Sequence, residues 1–186
     1  MNATANVGEL AFFTPAVKAT LERFGAGKSS ARQEGRSITT QIGPEEAAFT
    51  AARNSFYVAS IGENSWPYTQ YRRGAKGFLR PLDRTTLGFA DSRVNRRYIS
   101  PGNVVLFLMD YPSQRRLKIW AETEISEDPA IIEKLSETSY GAEIDRAFLF
   151  HVLAFEWNCQ QHVVQRYPPE EYAVCSASGQ SEPLCV

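Results

Sequence analysis

Arg72, Arg73, Lys76, Arg80, Arg84, Arg93, Arg96 and Arg97 put eight of the chain's twenty Lys and Arg into one short stretch, against only Asp83 and Asp91. In a chain of formal net charge -1 this is a local anion site. The cations alternate with apolar residues in strand-like runs (Phe78, Leu79, Leu82, Leu87, Phe89), so a sheet and its loops hold them; a disordered basic tail has no such partners. Guanidinium groups present rigid forked donors, and two or three of them around one dianion make charge-assisted bonds to phosphate oxygens. Arg96 and Arg97 follow an expected strand, Thr86 to Ala90, and Arg80 lies one hairpin back, where strand pairing brings the three near one another. An ordinary solvated face is the alternative for any charge run, and this spacing weighs against it.

The rest of the composition bounds what the chain can be. At 186 residues with 43% hydrophobic and 22% charged residues it reads as one globular domain with terminal arms. A sequence pI near 6.2 argues against a general polyanion binder. No apolar run approaches the roughly 18 residues of a bilayer span, and MNATANVGEL lacks the basic start and apolar core of a signal peptide, so cytoplasm is the expected location. Cys159, Cys175 and Cys185 are odd in number and contain no CxxC pair, and His151 and His162 are too few for a metal cluster; neither a disulfide framework nor a metal site is expected. GAGKSS at 25–30 imitates the end of a phosphate-binding P-loop. The glycine that motif needs five positions before Gly27 is Glu22, and the segment follows a helix rather than a strand, so that reading is rejected.

Helical spacing of Val17, Leu21 and Phe24 after Thr14-Pro15 predicts a short amphipathic helix over 15–24, stopped by Gly25. GAGKSSARQEGRS reads as a linker. Gly43-Pro44-Glu45-Glu46 opens a second helix to about Arg53. The period then changes to two: FYVASI, a turn at GENS and PYTQY form a first hairpin, and Gly77 to Leu82 with Thr86 to Ala90 a second. VVLFLMD (104–110) is too apolar for a half-exposed strand and belongs in the middle of the sheet. Arg115 to Ile125 is its partner, a helix capped by Asp128 covers Pro129 to Leu135, and Arg146 to Trp157 is the last strand. Six or seven antiparallel strands with three short helices give a mainly β barrel with helical cover, an α+β chain.

GFLRPLDRTTLGFADSRVNRRYIS, preceded by FYVASIGENSWPYTQYRRG and followed by LFLMDYPSQRRLKIWAE, resembles the pyridoxamine 5'-phosphate oxidase-like family of FMN-binding split barrels. The similarity is closest to the branch that ends in a W-N-C-x-Q-H segment, here Trp157-Asn158-Cys159-Gln160-Gln161-His162, and it covers roughly Ala47 to Arg166. The resemblance implies an antiparallel split β-barrel that binds FMN between the two subunits of a homodimer. It implies that Ala75, Lys76, Gly77, Phe78, Leu79 and Arg80, with Ala90 and Asp91 at the end of the next strand, line the flavin. Asn95, Arg96 and Arg97 would grip its phosphate, and Arg116 would approach the ring system. Two departures stand out. The substrate-phosphate residues of the oxidase proper have no counterpart near the C-terminus, and the strand after Gly102-Asn103 begins several residues early, which trims whatever normally precedes it.

The tail carries chemistry of its own. Trp157 offers a face for stacking on a flavin, while Asn158, Gln161 and His162 supply donors and acceptors in a loop leaving the sheet. His162 can exchange a proton near neutral pH, as flavin reduction requires, and is the candidate catalytic residue; a structural hydrogen-bonding role is the alternative. The expected division is 1–43 for a helical arm and linker, 44–166 for the barrel and 167–186 for a tail. The expected function is an FMN-dependent oxidoreductase acting on a small molecule, without metal, membrane or nucleic acid. Its rivals are a flavin-binding protein without turnover and a nucleic-acid-binding barrel that uses Phe78 and Tyr98 as stacking surfaces.

Overall fold

The structure, a computed structural model, describes residues 14–24, 40–92, 101–136, 144–158 and 163–167. Asn95, Arg96, Arg97, Tyr98, Gln161, His162, the three cysteines and the linker after Phe24 lie outside the described residues. Helix α1 (Pro15–Arg23) begins where Thr14 accepts from the Val17 amide at 3.3 Å and Pro15 takes the first turn. Helix α2 (Pro44–Ala51) follows Gly43, whose amide donates to Glu46 Oε2 at 3.0 Å. Strands β1 (Ser55–Ile61) and β2 (Pro67–Arg73) form the expected first hairpin. Its turn is set by a Gly62 N–H to Trp66 C=O bond of 2.9 Å, with Ser65 in the left-handed region at φ 62°.

The second hairpin departs from expectation. Only Arg80–Pro81 (β3) pairs with β4 (Thr86–Ser92), although an extended run from Gly77 was expected. Gly77 sits at φ 81°, which interrupts extended backbone, and its amide bonds to the Arg53 carbonyl at 3.0 Å, so this segment is tied to the end of α2 instead of to a strand. The β3–β4 turn is held by Asp83, whose Oδ1 accepts from the Thr85 amide at 2.6 Å and the Thr85 hydroxyl at 2.9 Å. The Thr85 amide bond is the main reason this exposed carboxyl titrates below its ordinary range. Its contribution to the turn is therefore present above that range and is lost as pH falls through the depressed value. Strand β5 (Gly102–Asp110) turns directly into β6 (Arg115–Ser126), helix α3 (Pro129–Leu135) is capped by Asp128, and β7 (Ile144–Trp157) closes the described fold.

These strands form one antiparallel sheet in the order β2-β1-β5-β6-β7-β4-β3. VVLFLMD is thus internal, as its composition requires, with Val104, Leu106 and Leu108 buried and Val105, Phe107 and Met109 half-buried on the outer face. The sheet curls until its first strand meets its sixth. Phe56 on β1 stacks on Phe78 at 5.5 Å and meets Phe89 of β4 at 5.7 Å and Phe150 of β7 at 6.3 Å, edge to face. Arg72 Nη1 on β2 donates to Asp91 Oδ1 on β4 at 3.2 Å, and Arg146 on β7 reaches Asp91 Oδ2 through Nη2 at 2.7 Å and Nε at 3.1 Å. Arg72 is 7% exposed and Asp91 3%. Burial pulls the Arg72 guanidinium below its ordinary value, Asp91 pulls it back up, and Arg146 lowers it again. Outside this barrel, α3 covers a smaller cluster of Leu135, Ala147 and Leu149.

Removing the shared carboxylate strands two cations, one of them deeply buried. Asp91→Ala is expected to cost about 3–5 kcal/mol of folding stability. Arg72→Met leaves Asp91 paired with Arg146 and is expected to cost about 1–2 kcal/mol, in the range of ordinary destabilising substitutions. Urea unfolding of both variants checks this, and an Asp91→Ala loss no larger than that of Arg72→Met would show that Asp91 does not hold both arginines.

Candidate functional site

Of the residues expected to line a ligand between Ala75 and Arg80, the structure gives Phe78 and Leu79 to the core at 8% and 1% exposure. Phe78 packs on Phe56 and Phe89, so it offers no stacking surface to a nucleic acid. Ala75 and Lys76 are exposed and Gly77 is half-buried. Gly74 just before them has no room for a side chain, since a Cβ there would lie 2.5 Å from the Phe78 ring. Arg80 binds the Gly77 carbonyl through Nε at 3.1 Å and reaches the Lys134 carbonyl at 3.5 Å, which places its charge at the negative end of α3. Ala90 packs against the cluster beneath α3. Asp91 turns into the barrel, and both of its oxygens are used by Arg72 and Arg146. What these six positions and the strand end share is thus mostly main chain.

The second group of candidates lies elsewhere. Arg116 opens β6 opposite Met109, and the Asn158 amide donates to its carbonyl at 3.2 Å just past the end of β7. Ala90 faces Ala147 near the start of β7. Ala147 and Asn158 are eleven residues apart, about 36 Å of chain at strand rise. The outer face of one chain therefore presents Ala90 and Arg116 at opposite ends of its longest strand.

Trp157 is held by α2 and the start of β6. Its Nε1–H donates to Glu46 Oε1 at 2.8 Å, Phe49 meets it edge to face at 4.8 Å, and the Arg115 guanidinium lies 4.3 Å from its ring centroid. Arg115 is in turn paired with Glu45. Each contact is an ordinary consequence of an amphipathic ring at the end of a strand, with an apolar body and one donor that must be met. The indole expected to stack on a flavin is, in the described chain, the anchor of α2.

Four other arginines of the barrel each reach an acid. Arg53 pairs with Asp110 at 2.9 Å, Arg72 and Arg146 share Asp91, and Arg115 has Glu45. The half-buried Arg116 side chain has no hydrogen bond or ion pair among the described residues, and its Nε is closed to solvent without a partner. Asn158 Oδ1 beside it is likewise buried and unmet. Sequence reasoning named Arg116 from resemblance alone and left Asn158 as a tail residue; only cross-strand register sets the two side by side. Also unforeseen is the outer face of β1 and β2, where Tyr57 and Tyr71 pair at 5.3 Å while remaining 38% and 55% exposed. No three His, Cys, Asp or Glu among the described residues could share a metal, and no described helix is long and apolar enough to cross a membrane.

If the indole anchors α2, losing its donor leaves Glu46 with an unmet carboxylate oxygen. Trp157→Phe is expected to cost about 1.5–3 kcal/mol, the scale of a hydrogen bond to a charged group. Glu46→Gln keeps an acceptor in place and should cost less. Thermal and urea unfolding of the pair check the order, and a Trp157→Phe protein as stable as the parent would remove the anchor role.

No family model and no curated protein sequence matches the chain. Among solved structures, HupZ of group A Streptococcus matches with a TM-score of 0.51 and 14% identity, over 63% of this chain and 99% of HupZ. A second HupZ structure matches with a TM-score of 0.50 and 15% identity, over 61% and 91%. An FMN-binding protein from Syntrophomonas wolfei matches with a TM-score of 0.47 and 12% identity, over 74% of this chain and 97% of that one. A Clostridium acetobutylicum protein of the pyridoxinephosphate oxidase family matches with a TM-score of 0.45 and 16% identity, over 61% and 85%. At these identities the likeness is one of fold, and the fold of this chain is the antiparallel split β-barrel.

Proposed function

We propose that this chain binds FMN and works as a flavin-dependent oxidoreductase on a small molecule. The observation that carries the reading is Arg116: a half-buried guanidinium without an acid, on the outer face of a split barrel, beside the half-buried Met109 and Phe107. An uncompensated cation on an apolar floor is complementary to an electron-rich planar ring and to the negative charge that such a ring gains on reduction. The bound flavin would supply the redox chemistry, and the protein would hold and tune it. Arg80, Arg96 and Arg97 would supply the charge for the phosphate, Arg116 the charge for the ring, and His162 a proton on the substrate side.

The reading also calls for two copies. Within one chain the outer face carries Ala90 and Arg116 at opposite ends of β7, so a cofactor lined by both needs a second subunit to bring the other half. The exposed Tyr57 and Tyr71, continuous with the half-buried Phe107 opposite Tyr57, form an apolar surface suited to that contact.

Purified protein is expected to show oxidised-flavin absorbance and to release FMN rather than FAD on denaturation. Protein that is colourless and neither takes up added FMN nor shifts its thermal transition with it would overturn the reading. Arg96→Ala with Arg97→Ala removes at least two charge-assisted bonds of about 1.5–3 kcal/mol each, so FMN should weaken by at least about a hundredfold. Sedimentation equilibrium should return about twice 20.8 kDa. A monomer that binds FMN at micromolar concentration would show that one chain builds the whole site. Turnover with an artificial acceptor separates an oxidoreductase from a flavin carrier, which would bind FMN without reducing anything.

A further inference from the structure

We propose that α1 is an exchange arm: it seats near the tip of the β1–β2 hairpin of a second copy of this chain, while that copy's α1 seats on the first. Eight large apolar side chains stand exposed among the described residues, and seven of them lie on these two pieces. Val17 and Phe24 belong to α1, and Tyr57, Ile61, Trp66, Tyr68 and Tyr71 to the hairpin. None of the described residues of α1 is buried. An isolated helix shorter than about 12 residues is marginal in water, so a helix of nine needs an apolar face packed on something. Val17 and Phe24, seven positions apart, share one face and stand about 10 Å apart at helical rise.

The hairpin offers a strip of matching length. Phe56 and Val58 turn into the core, so Tyr57, Ala59 and Ile61 project outward, and register sets them opposite Tyr71, Thr69 and Pro67. From Tyr57 to Ile61 the strip covers about 13 Å at strand rise, and Trp66 extends it at the tip. Trp66 is 72% exposed on an ordered turn: its amide donates to Asn64 Oδ1 at 3.1 Å, and its carbonyl accepts from the Gly62 amide at 2.9 Å. A large ring held out on fixed main chain loses little freedom when covered, as an interface anchor should. Charge sets the direction. Glu63 is the hairpin's one acid, and α1 carries Arg23 in its last turn beside Phe24, so that end of the arm meets the tip.

The occupant is a second copy because neither surface covers the other within one chain, and because exchange closes. Each copy offers one arm and one strip, so two copies fill both and leave nothing to propagate. The chain from Phe24 to Thr40 can span up to about 55 Å, enough to reach a neighbouring barrel. At its Tyr57–Tyr71 end the strip is continuous with the surface that the functional reading gives to a second subunit, and the arm takes the part beyond it.

The test uses full-length chains coexpressed in two sizes. One carries Arg23→Cys and the longer, tagged one Glu63→Cys, which leaves the apolar contacts in place. Mild oxidation should give a mixed disulfide band in excess of that from either variant coexpressed with the parent, the control for Cys159, Cys175 and Cys185. Adding Phe24→Asp to the arm should cut that excess several-fold. Acrylamide quenching of Trp66, taken as the difference from Trp66→Phe, should be weak in wild type and rise several-fold in Phe24→Asp. No excess band overturns the exchange. So does a cross-link that forms only within one chain when both cysteines are placed on it, which would assign the arm to its own hairpin. Equal quenching of Trp66 in wild type and Phe24→Asp overturns the seat of the arm at the tip. None of these readings uses flavin, so they stand or fall apart from the cofactor.

Discussion

One carboxylate decides the shape of this barrel. Asp91 sits on β4, the sixth strand in sheet order, and accepts from Arg72 on the first and Arg146 on the fifth. An open sheet would leave Arg72 in water at an edge. Here it is buried under the rings of Phe89 and Phe148, each 5.7 Å from its guanidinium carbon. A buried cation is tolerable only with a paired anion, so the β1–β2 hairpin and β4 are bound to the same geometry. The Phe56, Phe78, Phe89 and Phe150 cluster fills the space that this closure creates, and the aromatic stacking sets how far the walls stand apart.

Once the sheet has closed, its outer face becomes the functional question. One patch of it is covered from within the chain, by α3 over β4 and the start of β7, while α2 packs on the inner side, against the main core, through Phe49 and Trp157. Away from α3, β2, β1, β5 and the beginning of β6 keep their outer side chains half-buried or exposed, with Tyr71, Tyr57 and Phe107 in one register row. Arg116 stands on the same face, opposite Met109. A half-buried apolar wall and the Arg116 guanidinium thus share one face of the sheet.

The same fold explains why charge alone misled about roles. In the sequence, the arginines between Arg72 and Arg97 are one group of anion ligands. In the fold, Arg72 is a structural cation inside the barrel and Arg80 is bonded to main-chain carbonyls at the end of α3. Arg116, outside that stretch, has no acid among the described residues.

Period and punctuation were enough for the elements. Thr14-Pro15, Gly43-Pro44 and Asp128-Pro129 announce the helices because capping and proline act over three or four residues. The alternation in FYVASI and the unbroken VVLFLMD announce strands whose second face is exposed in the one and half-buried in the other, because burial writes itself into the chain. The strand expected from Gly77 was illegible for a related reason: a left-handed glycine bonded to Arg53 looks the same in sequence as a glycine in a strand. Partnership was beyond local reading altogether. That Asp91 belongs to Arg72 and Arg146, that Trp157 belongs to Glu46, and that Arg116 and Asn158 stand together unpaired depend on contacts between positions 19 to 111 residues apart. Residue types decide which interactions a side chain can make, and those are local. Which partners it meets is decided by how the sheet closes, a property of the whole chain.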